Sequence, residues 1–508
     1  MLTEQGAAVV SAAPEGAARA RPPAATVAWV WWALPIALTA VLGLYRASTI
    51  VLWWDEQSTI DVARRPVGGI LATARHVDAV HTFYYLFMHF WISAFGSAPL
   101  TLRLPSVLAM CGATACTTAI GLRLFNRRVA VTASVIFALI PGVSRYACEA
   151  RSYGFVVLGS AAAILLLLRA LEKPDPRRWG AYGAVLAATG ALNLIALTAL
   201  SAHAVVVAVS AGSGRARRRD VLRPFALVVA LVLMIVAPII VLGAIEAPTE
   251  LGDPAPASFA DLPLTWRETG CSTAFSMLVL LALPLLATHR RRGPAFMILA
   301  WATLPVLTVW GVSMHGLGFD VYARYLLFVL PAWAIAVAAA VDRIPGVHRV
   351  AFLAIVGVAA GAVTHDQFVL HGQLSHFDYD YPGPRFPAED YPAAAKIVES
   401  EYHPGDAATF DSSQHLYLGV NYYLPADEHL RDIFVASTDV QQNSLTPVYC
   451  PSAPACLADA PERVWMFETG DLASFSTERV DWSLSLLVHY RIVEIWHVSG
   501  ITITLLQR

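Results

Sequence analysis

Apolar residues along this chain form long uninterrupted runs instead of the short amphipathic patterns of a soluble domain. Runs long enough to cross a bilayer, roughly 17–25 residues, recur as far as residue 365. They lie near residues 27–47, 104–122, 129–146, 152–171, 221–243, 271–288, 295–312, 324–341 and 349–365. The stretch 179–211 is long enough for two tilted helices with a break near Asn193. The pattern therefore predicts about eleven spans.

One apolar segment, His81–Phe95, is too short to be assigned by length alone. Its aromatic residues and two histidines favour an interfacial helix, and Val67–Val77 reads as a second one. If His81–Phe95 does not cross, the N-terminal tail and all the basic loops fall on one side. These loops hold Arg123, Arg127, Arg128, Lys173, Arg177, Arg178, Arg215, Arg217, Arg218, Arg219, Arg290, Arg291, Arg292, Arg343 and Arg349. Because Lys and Arg are enriched in cytoplasmic loops, we predict that this side is cytoplasmic and that loop 48–103 lies outside.

The two ends of the chain differ from its apolar middle. Residues 1–26 are rich in Ala, Pro and Gly and predict a disordered cytoplasmic tail. Residues 366–508 are more polar and predict a small extracytoplasmic α/β domain. In it we expect a helix over Tyr391–Tyr402 and strands over Asp406–Asp411, Arg463–Phe467 and Arg491–Leu506. Residues 27–365 then form the transmembrane part.

Composition agrees with this organisation. Hydrophobic residues make up 57% of the chain and charged residues 14%, against about 25% charged in soluble domains. The chain is thus predicted to be a multi-pass plasma-membrane protein, and its net charge of −2 gives no indication of nucleic-acid binding. Cys450 and Cys456 lie in the predicted outer domain and could form a disulfide in an oxidising compartment.

Asp55 and Glu56 follow the first span directly, after Trp53 and Trp54. Tryptophan favours the headgroup layer, whereas ionised carboxylates are costly to remove from water. Two adjacent acids at this boundary therefore predict a functional site. The alternative is that both acids cap the N-terminus of an interfacial helix, where negative charge is favourable.

Two further outer turns carry polar groups. One holds Arg145, Glu149 and Arg151, and the other holds His315, Asp320, Tyr322 and Arg324. Each has a structural alternative: Glu149 and Arg151 could form an ion pair at a helix end, and Arg324 could be a snorkelling anchor. His81 in the first loop could be a solvated interfacial histidine. Three such loops on one face nevertheless favour a shared site at the membrane surface.

The chain resembles the GT-C superfamily of integral-membrane glycosyltransferases. It is most similar to bacterial family 39-like proteins, which are related to protein O-mannosyltransferases. The segments that carry the resemblance are LWWDEQST at 52–59, HTFYYLFMHFW at 81–91, LRLPSVLAM at 102–110, CEARSYGF at 148–155 and ARYLLFVLPAWA at 323–334. The tail segment 391–413 also resembles actinobacterial members. One departure is His81-Thr82-Phe83, where the family often has His-Pro-Pro.

The resemblance implies an inverting transfer of a sugar, mannose above all, from a polyprenyl-phosphate donor to an envelope glycolipid, glycan or protein. It assigns the base to Asp55, with Glu56 as a second catalytic candidate that positions the acceptor. The substrate-binding candidates are His81, Tyr84, Glu149, Arg151, His315, Tyr322 and Arg324. Some relatives use a divalent metal, for which Asp55, Glu56 and His81 could supply ligands.

Three alternatives stay open at this point. The donor could carry arabinofuranose instead of mannose. The chain could be a transporter or flippase for a lipid-linked sugar, for which we would expect ionisable residues near mid-membrane and repeated halves with broken helices. It could also be a non-catalytic envelope scaffold. The polar groups lie at one face and the spans hold few central charges, which favours the enzyme.

Overall fold

The computed structural model describes residues 30–212, 218–250, 256–315, 323–344, 346–376, 387–411, 414–457, 461–469 and 480–508. The predicted tail 1–26 lies outside these residues, as do Asp320 and Tyr322.

Helices dominate the chain as far as residue 372. In chain order they are α1 (Val30–Leu44), α2 (Trp54–Arg64), α3 (Val67–Thr73), α4 (Thr82–Phe95), α5 (Pro99–Leu124), α6 (Arg127–Leu139), α7 (Pro141–Ala147), α8 (Tyr153–Glu172), α9 (Pro176–Leu192), α10 (Leu200–Gly212), α11 (Arg218–Glu250), α12 (Asp261–Thr269), α13 (Thr273–Ala287), α14 (Arg292–Met314), α15 (Leu330–Arg343) and α16 (Gly346–Gly372). Short 3₁₀ segments precede α4, α10 and α15 at Ala79–His81, Leu194–Ala199 and Ala323–Val329.

Where the structure describes them, the apolar runs that the sequence indicated are helical, with 129–146 divided between α6 and α7 and 324–341 beginning in the 3₁₀ segment before α15. Within the described residues, six helices are long and apolar enough to cross a membrane, or up to eight if each bent pair forms one span. Helices α1 and α9 have 15 and 17 residues and fall just short of that length. The multi-pass membrane class is supported, and the count of eleven spans stays a prediction.

Two breaks between helices have clear local causes. Asn193 ends α9 in an extended conformation, and its side chain accepts a hydrogen bond from the Ile195 amide at 2.9 Å. The break predicted near Asn193 is therefore present. Helices α6 and α7 meet at a 60° bend, because Pro141 disfavours helical geometry at Ile140. This bend directs α7 toward the turn that carries Glu149 and Arg151.

The C-terminal part contains a four-stranded sheet. The elements are α17 (Tyr391–Glu401), β1 (Ala407–Phe410), α18 (Gln414–Tyr423), β2 (Val435–Ser437), α19 (Asp439–Gln442), β3 (Val448–Tyr449), α20 (Ala453–Leu457), β4 (Arg463–Thr469), α21 (Val480–His489), β5 (Arg491–Val498) and β6 (Ile501–Gln507). The sheet order is β1-β4-β6-β5, with β1 parallel to β4 and the other pairs antiparallel. Cys450 and Cys456 are joined by a disulfide.

Helix α2 connects the helical part to the C-terminal part. Its last turn is followed by Arg65, whose guanidinium contacts Asp61 at 2.6 Å and Asp439 of α19 at 2.7 Å. The same guanidinium donates to the hydroxyl of Thr73 at 3.0 Å. Arg65 is buried, so this cluster holds three ionisable groups largely out of water. Its partners come from both parts of the chain and fix the C-terminal part against α2.

Asp61 gives this connection a pH dependence. Burial raises the pKa of Asp61 to about 7, with the Asp439 carboxylate adding to the rise and Arg65 opposing it. In the unfolded chain the same group titrates near 3.9. The folded protein therefore binds a proton that the unfolded chain has released, and stability falls as the pH rises from about 4 to about 7.

We expect Asp61→Asn to flatten the dependence of Tm on pH in this window, because the amide does not titrate. The measurement is thermal unfolding of the detergent-purified protein at several pH values. The matched control is Asp427→Asn, at an exposed position. Equal slopes for the wild type and Asp61→Asn would contradict the assignment.

Candidate active site

A buried ion pair organises the start of α2. Both carboxylate oxygens of Glu56 accept hydrogen bonds from Arg103 of α5, at 2.8 and 2.7 Å, and neither side chain is exposed. Arg103 also donates to the carbonyl oxygens of Ala47 and Ile50, each at 2.9 Å. One guanidinium therefore holds both the N-terminal turn of α2 and the loop that leads into it.

The same carboxylate reaches the second outer turn. Glu56 Oε1 accepts a hydrogen bond from the backbone amide of Ala150 at 2.9 Å. Because Glu56 is adjacent to Asp55 and Ala150 is adjacent to Arg151, this bond brings the two functional candidates together. Arg151 Nε lies 3.6 Å from Asp55 Oδ2, and Arg151 Nη1 also contacts the hydroxyl of Thr59 at 3.4 Å.

The two neighbouring acids have opposite environments. The side chain of Asp55 is 26% exposed, whereas that of Glu56 is fully buried. Burial alone would raise the pKa of Asp55, but the positive charges of Arg151 and Arg324 outweigh it and hold this pKa below its usual value. Asp55 is therefore an ionised carboxylate at neutral pH that an incoming molecule can reach.

His81 extends the site on the far side of Arg151. Its Nε2 lies 3.0 Å from Arg151 Nη2, and its Nδ1 contacts a carboxylate oxygen of Asp78. Since arginine can only donate, His81 accepts through Nε2 and donates through Nδ1 to Asp78. Tyr85 donates to the other oxygen of Asp78. This chain of contacts orients the guanidinium of Arg151 toward Asp55.

Two arginines flank the buried ring of Trp53, two residues before Asp55. The guanidinium carbon of Arg324 lies 5.6 Å from the ring centre of Trp53, within the range of a cation–π contact. Arg145 lies at the same distance from this ring and pairs with Glu149 through a buried salt bridge. Trp53 is thus held by two arginines, of which Arg324 also acts electrostatically on Asp55.

The C-terminal part contributes a histidine to this region. The ring of His415 in α18 stacks on Trp54 at a centroid distance of 4.5 Å. Burial lowers the pKa of His415 to about 4, although Asp55 and Asp411 act in the opposite direction. His415 is therefore neutral at neutral pH and lies beside the site. No local sequence signal indicates it, because its position depends on contacts between segments far apart in the chain.

The remaining predicted residues are placed as follows. Tyr84 is fully buried and packs against Phe155, and the adjacent Tyr85 makes the contact with Arg151. Glu149 pairs with Arg145. His315 is exposed at the end of α14, and the segment that joins it to Arg324 lies outside the described residues, as does Tyr322.

The contacts of Glu56 favour the capping alternative over a catalytic role. Both of its oxygens are engaged by Arg103, and Oε2 also lies 3.4 Å from the Trp53 amide. Arg103 itself was missed, although it lies within the LRLP segment that carried the family resemblance.

Asp55, Glu56 and His81 are not arranged to bind a metal ion together. Glu56 is turned toward Arg103, and the guanidinium of Arg151 contacts both Asp55 and His81. Within the described parts of the chain, no group of three or more His, Cys, Asp or Glu side chains is arranged to hold a metal.

Comparisons with known proteins show what this chain is similar to. The family of dolichyl-phosphate-mannose-protein mannosyltransferases matches residues 82–242 of this chain. No curated protein matches the chain by sequence.

Two solved structures of ArnT from Cupriavidus metallidurans are similar to this one. The apo structure has a TM-score of 0.61 at 14% identity, covering 95% of this chain and 98% of ArnT. The structure bound to undecaprenyl phosphate has a TM-score of 0.58 at 14% identity, covering 94% of this chain and 98% of ArnT. The predicted resemblance to the GT-C membrane glycosyltransferases is confirmed by the family match and this shared fold.

The different environments of the adjacent acids predict different consequences of amide substitution. Glu56→Gln weakens a buried ion pair and leaves Arg103 without its counter-charge, and breaking such a pair typically costs about 3–5 kcal/mol. We therefore expect a clear fall in Tm. Asp55→Asn, at a partly exposed position, should change Tm little. Thermal unfolding of both variants in the same detergent tests this, and equal losses would contradict it.

Proposed function

We propose that this protein transfers a sugar from a polyprenyl-phosphate donor to an acceptor hydroxyl, with inversion at the anomeric carbon. The observation that carries the proposal is the juxtaposition of an accessible, ionised Asp55 with the buried Arg151. The site lies beside the membrane part of a fold shared with ArnT, which has been solved with undecaprenyl phosphate bound. A lipid-linked donor fits such a position.

Asp55 acts as the general base. Its carboxylate takes the proton of the acceptor hydroxyl while the acceptor oxygen attacks the anomeric carbon of the donor sugar. The bond between that carbon and the phosphate oxygen breaks in the same displacement. Its electron pair leaves with polyprenyl phosphate. Because attack and departure are on opposite faces of the sugar, the configuration inverts.

The two arginines near Asp55 have different proposed roles, one toward the leaving phosphate and one toward the base. Phosphate gains negative charge as the glycosidic bond breaks, and guanidinium groups stabilise that charge most strongly where water is excluded. Arg324 is the candidate for contact with the phosphate, since it lies beside Trp53 and acts electrostatically on Asp55. Arg151, held by His81, positions Asp55 and keeps it ionised.

Mannose is the sugar we propose, because the matched family is described by dolichyl-phosphate-mannose. The acceptor is an envelope glycolipid, glycan or protein on the outer face of the plasma membrane. The experiment is incubation of purified protein with radiolabelled polyprenyl-phosphate-mannose, or the arabinose equivalent, beside an envelope lipid extract. Transfer of the mannose label supports the proposal. Transfer of arabinose alone would change the proposed donor sugar from mannose to arabinose. Transfer of neither label would overturn the proposed function.

We expect Asp55→Asn to lower the transfer rate about 10²–10⁴-fold, the usual effect of removing a general base. Since the substitution leaves the Glu56–Arg103 pair intact, the protein should stay folded and keep its donor affinity. Single-turnover transfer and donor binding measured on the same preparation separate the two effects. Asp427→Asn on the exposed surface is the control. Near-normal turnover in Asp55→Asn would falsify the assignment of the base.

The pH profile should identify Arg151 as the residue that keeps Asp55 ionised. In the wild type the pKa of Asp55 is held below its usual value, so activity should be lost only below the pH range in which an ordinary aspartate titrates. In Arg151→Gln the largest effect that lowers the pKa of Asp55 is removed, whereas burial still raises this pKa. The acid limb of the rate profile should therefore move to higher pH. Rate against pH for both proteins checks this. A reduced rate with an unshifted limb would assign Arg151 a different role.

A further inference from the structure

A cavity lined by arginines lies at the opposite end of the helical part from Asp55. Its volume is about 390 Å³, and it is lined by Arg123, Leu166, Arg169, Arg177, Arg178 and Ala181. We call it the arginine cavity. It lies where α5 and α8 end and α9 begins.

The length of α5 places this cavity at the other membrane face. Arg103 near the start of α5 binds Glu56 at the active site, and Arg123 lies 20 residues further along the same helix. At 1.5 Å per residue the two positions are about 30 Å apart, which is the thickness of the hydrocarbon core. The arginine cavity is therefore at headgroup level on the face opposite the active site.

The charges around the cavity do not cancel. Glu172 accepts two hydrogen bonds from Arg123, at 2.6 and 2.8 Å. Asp175 is used at the start of α9, where it accepts from the Arg177 amide at 2.7 Å. Four guanidinium groups thus face two nearby carboxylates, one of which caps a helix. The excess of positive charge favours an anionic ligand, and guanidinium groups match phosphate in geometry.

The apolar walls of the cavity favour an amphipathic anion over a water-soluble one such as inorganic phosphate. Leu166 lies about one turn from Arg169 toward the middle of the span, and Ala181 faces the cavity from α9. A phosphodiester headgroup at the arginines would leave its acyl chains along this apolar surface. Basic pockets between membrane helices commonly bind anionic lipids in this way. We propose that the arginine cavity binds the headgroup of an anionic phospholipid.

The test is native mass spectrometry of the full-length protein in detergent, titrated with dioleoyl phosphatidylglycerol or dioleoyl phosphatidylcholine. We expect tighter binding of phosphatidylglycerol. The double variant Arg169→Gln/Arg177→Gln should weaken it by about fivefold per arginine removed. It keeps the bond from Arg178 to the Arg169 carbonyl and the Arg123–Glu172 pair. Circular dichroism confirms that the variant is folded.

The matched control is Arg290→Gln/Arg292→Gln. These exposed arginines flank Arg291, which donates to the carbonyl oxygens of Leu124 and Phe125 and so lies at the same end of the helical part. The control removes the same charge without touching the cavity and should bind phosphatidylglycerol as the wild type does. An equal loss in both double variants, equal affinity for the two lipids, or displacement of the lipid by millimolar inorganic phosphate would each overturn the proposal.

Discussion

The bidentate ion pair between Glu56 and Arg103 is the contact on which the arrangement of the site depends. Arg103 holds the loop that follows α1, and Glu56 holds the backbone at Ala150. Three segments distant in sequence therefore meet at two side chains with no exposed surface. Because both charges are paired and every oxygen of Glu56 is engaged, the desolvation cost is offset by strong directional bonds.

This arrangement explains how adjacent acids come to have different environments. Successive residues on a helix point about 100° apart, so Asp55 and Glu56 cannot share an environment. Glu56 is turned into the protein and fixes α2, whereas Asp55 is turned toward Arg151 and the exterior. The rigid neighbour supplies the precision that the proposed base needs, since small displacements at a reacting centre cost much of the rate.

The C-terminal part contacts the elements that form this site. Arg65 joins α2 to Asp439, His415 stacks on Trp54, and His376 donates to the carbonyl oxygen of Cys148 at 2.7 Å. Contacts therefore reach both the helix that carries Asp55 and the turn that carries Arg151. We infer that the C-terminal part braces the two loops whose relative position determines the geometry of the site.

The sequence by itself predicted a multi-pass helical protein and most of its helices, and it singled out Asp55 as the candidate base. The length of the apolar runs and the distribution of arginines reflect the free energy of transferring each segment from water to lipid. Because this free energy depends mainly on the segment itself, it can be predicted from the local sequence. Only the tertiary structure showed which charged side chains pair with each other. It paired Glu56 with Arg103, Glu149 with Arg145 and Asp55 with Arg151, and it buried Tyr84. An ion pair depends on distances between segments that no periodicity records, so only the folded chain could assign these roles.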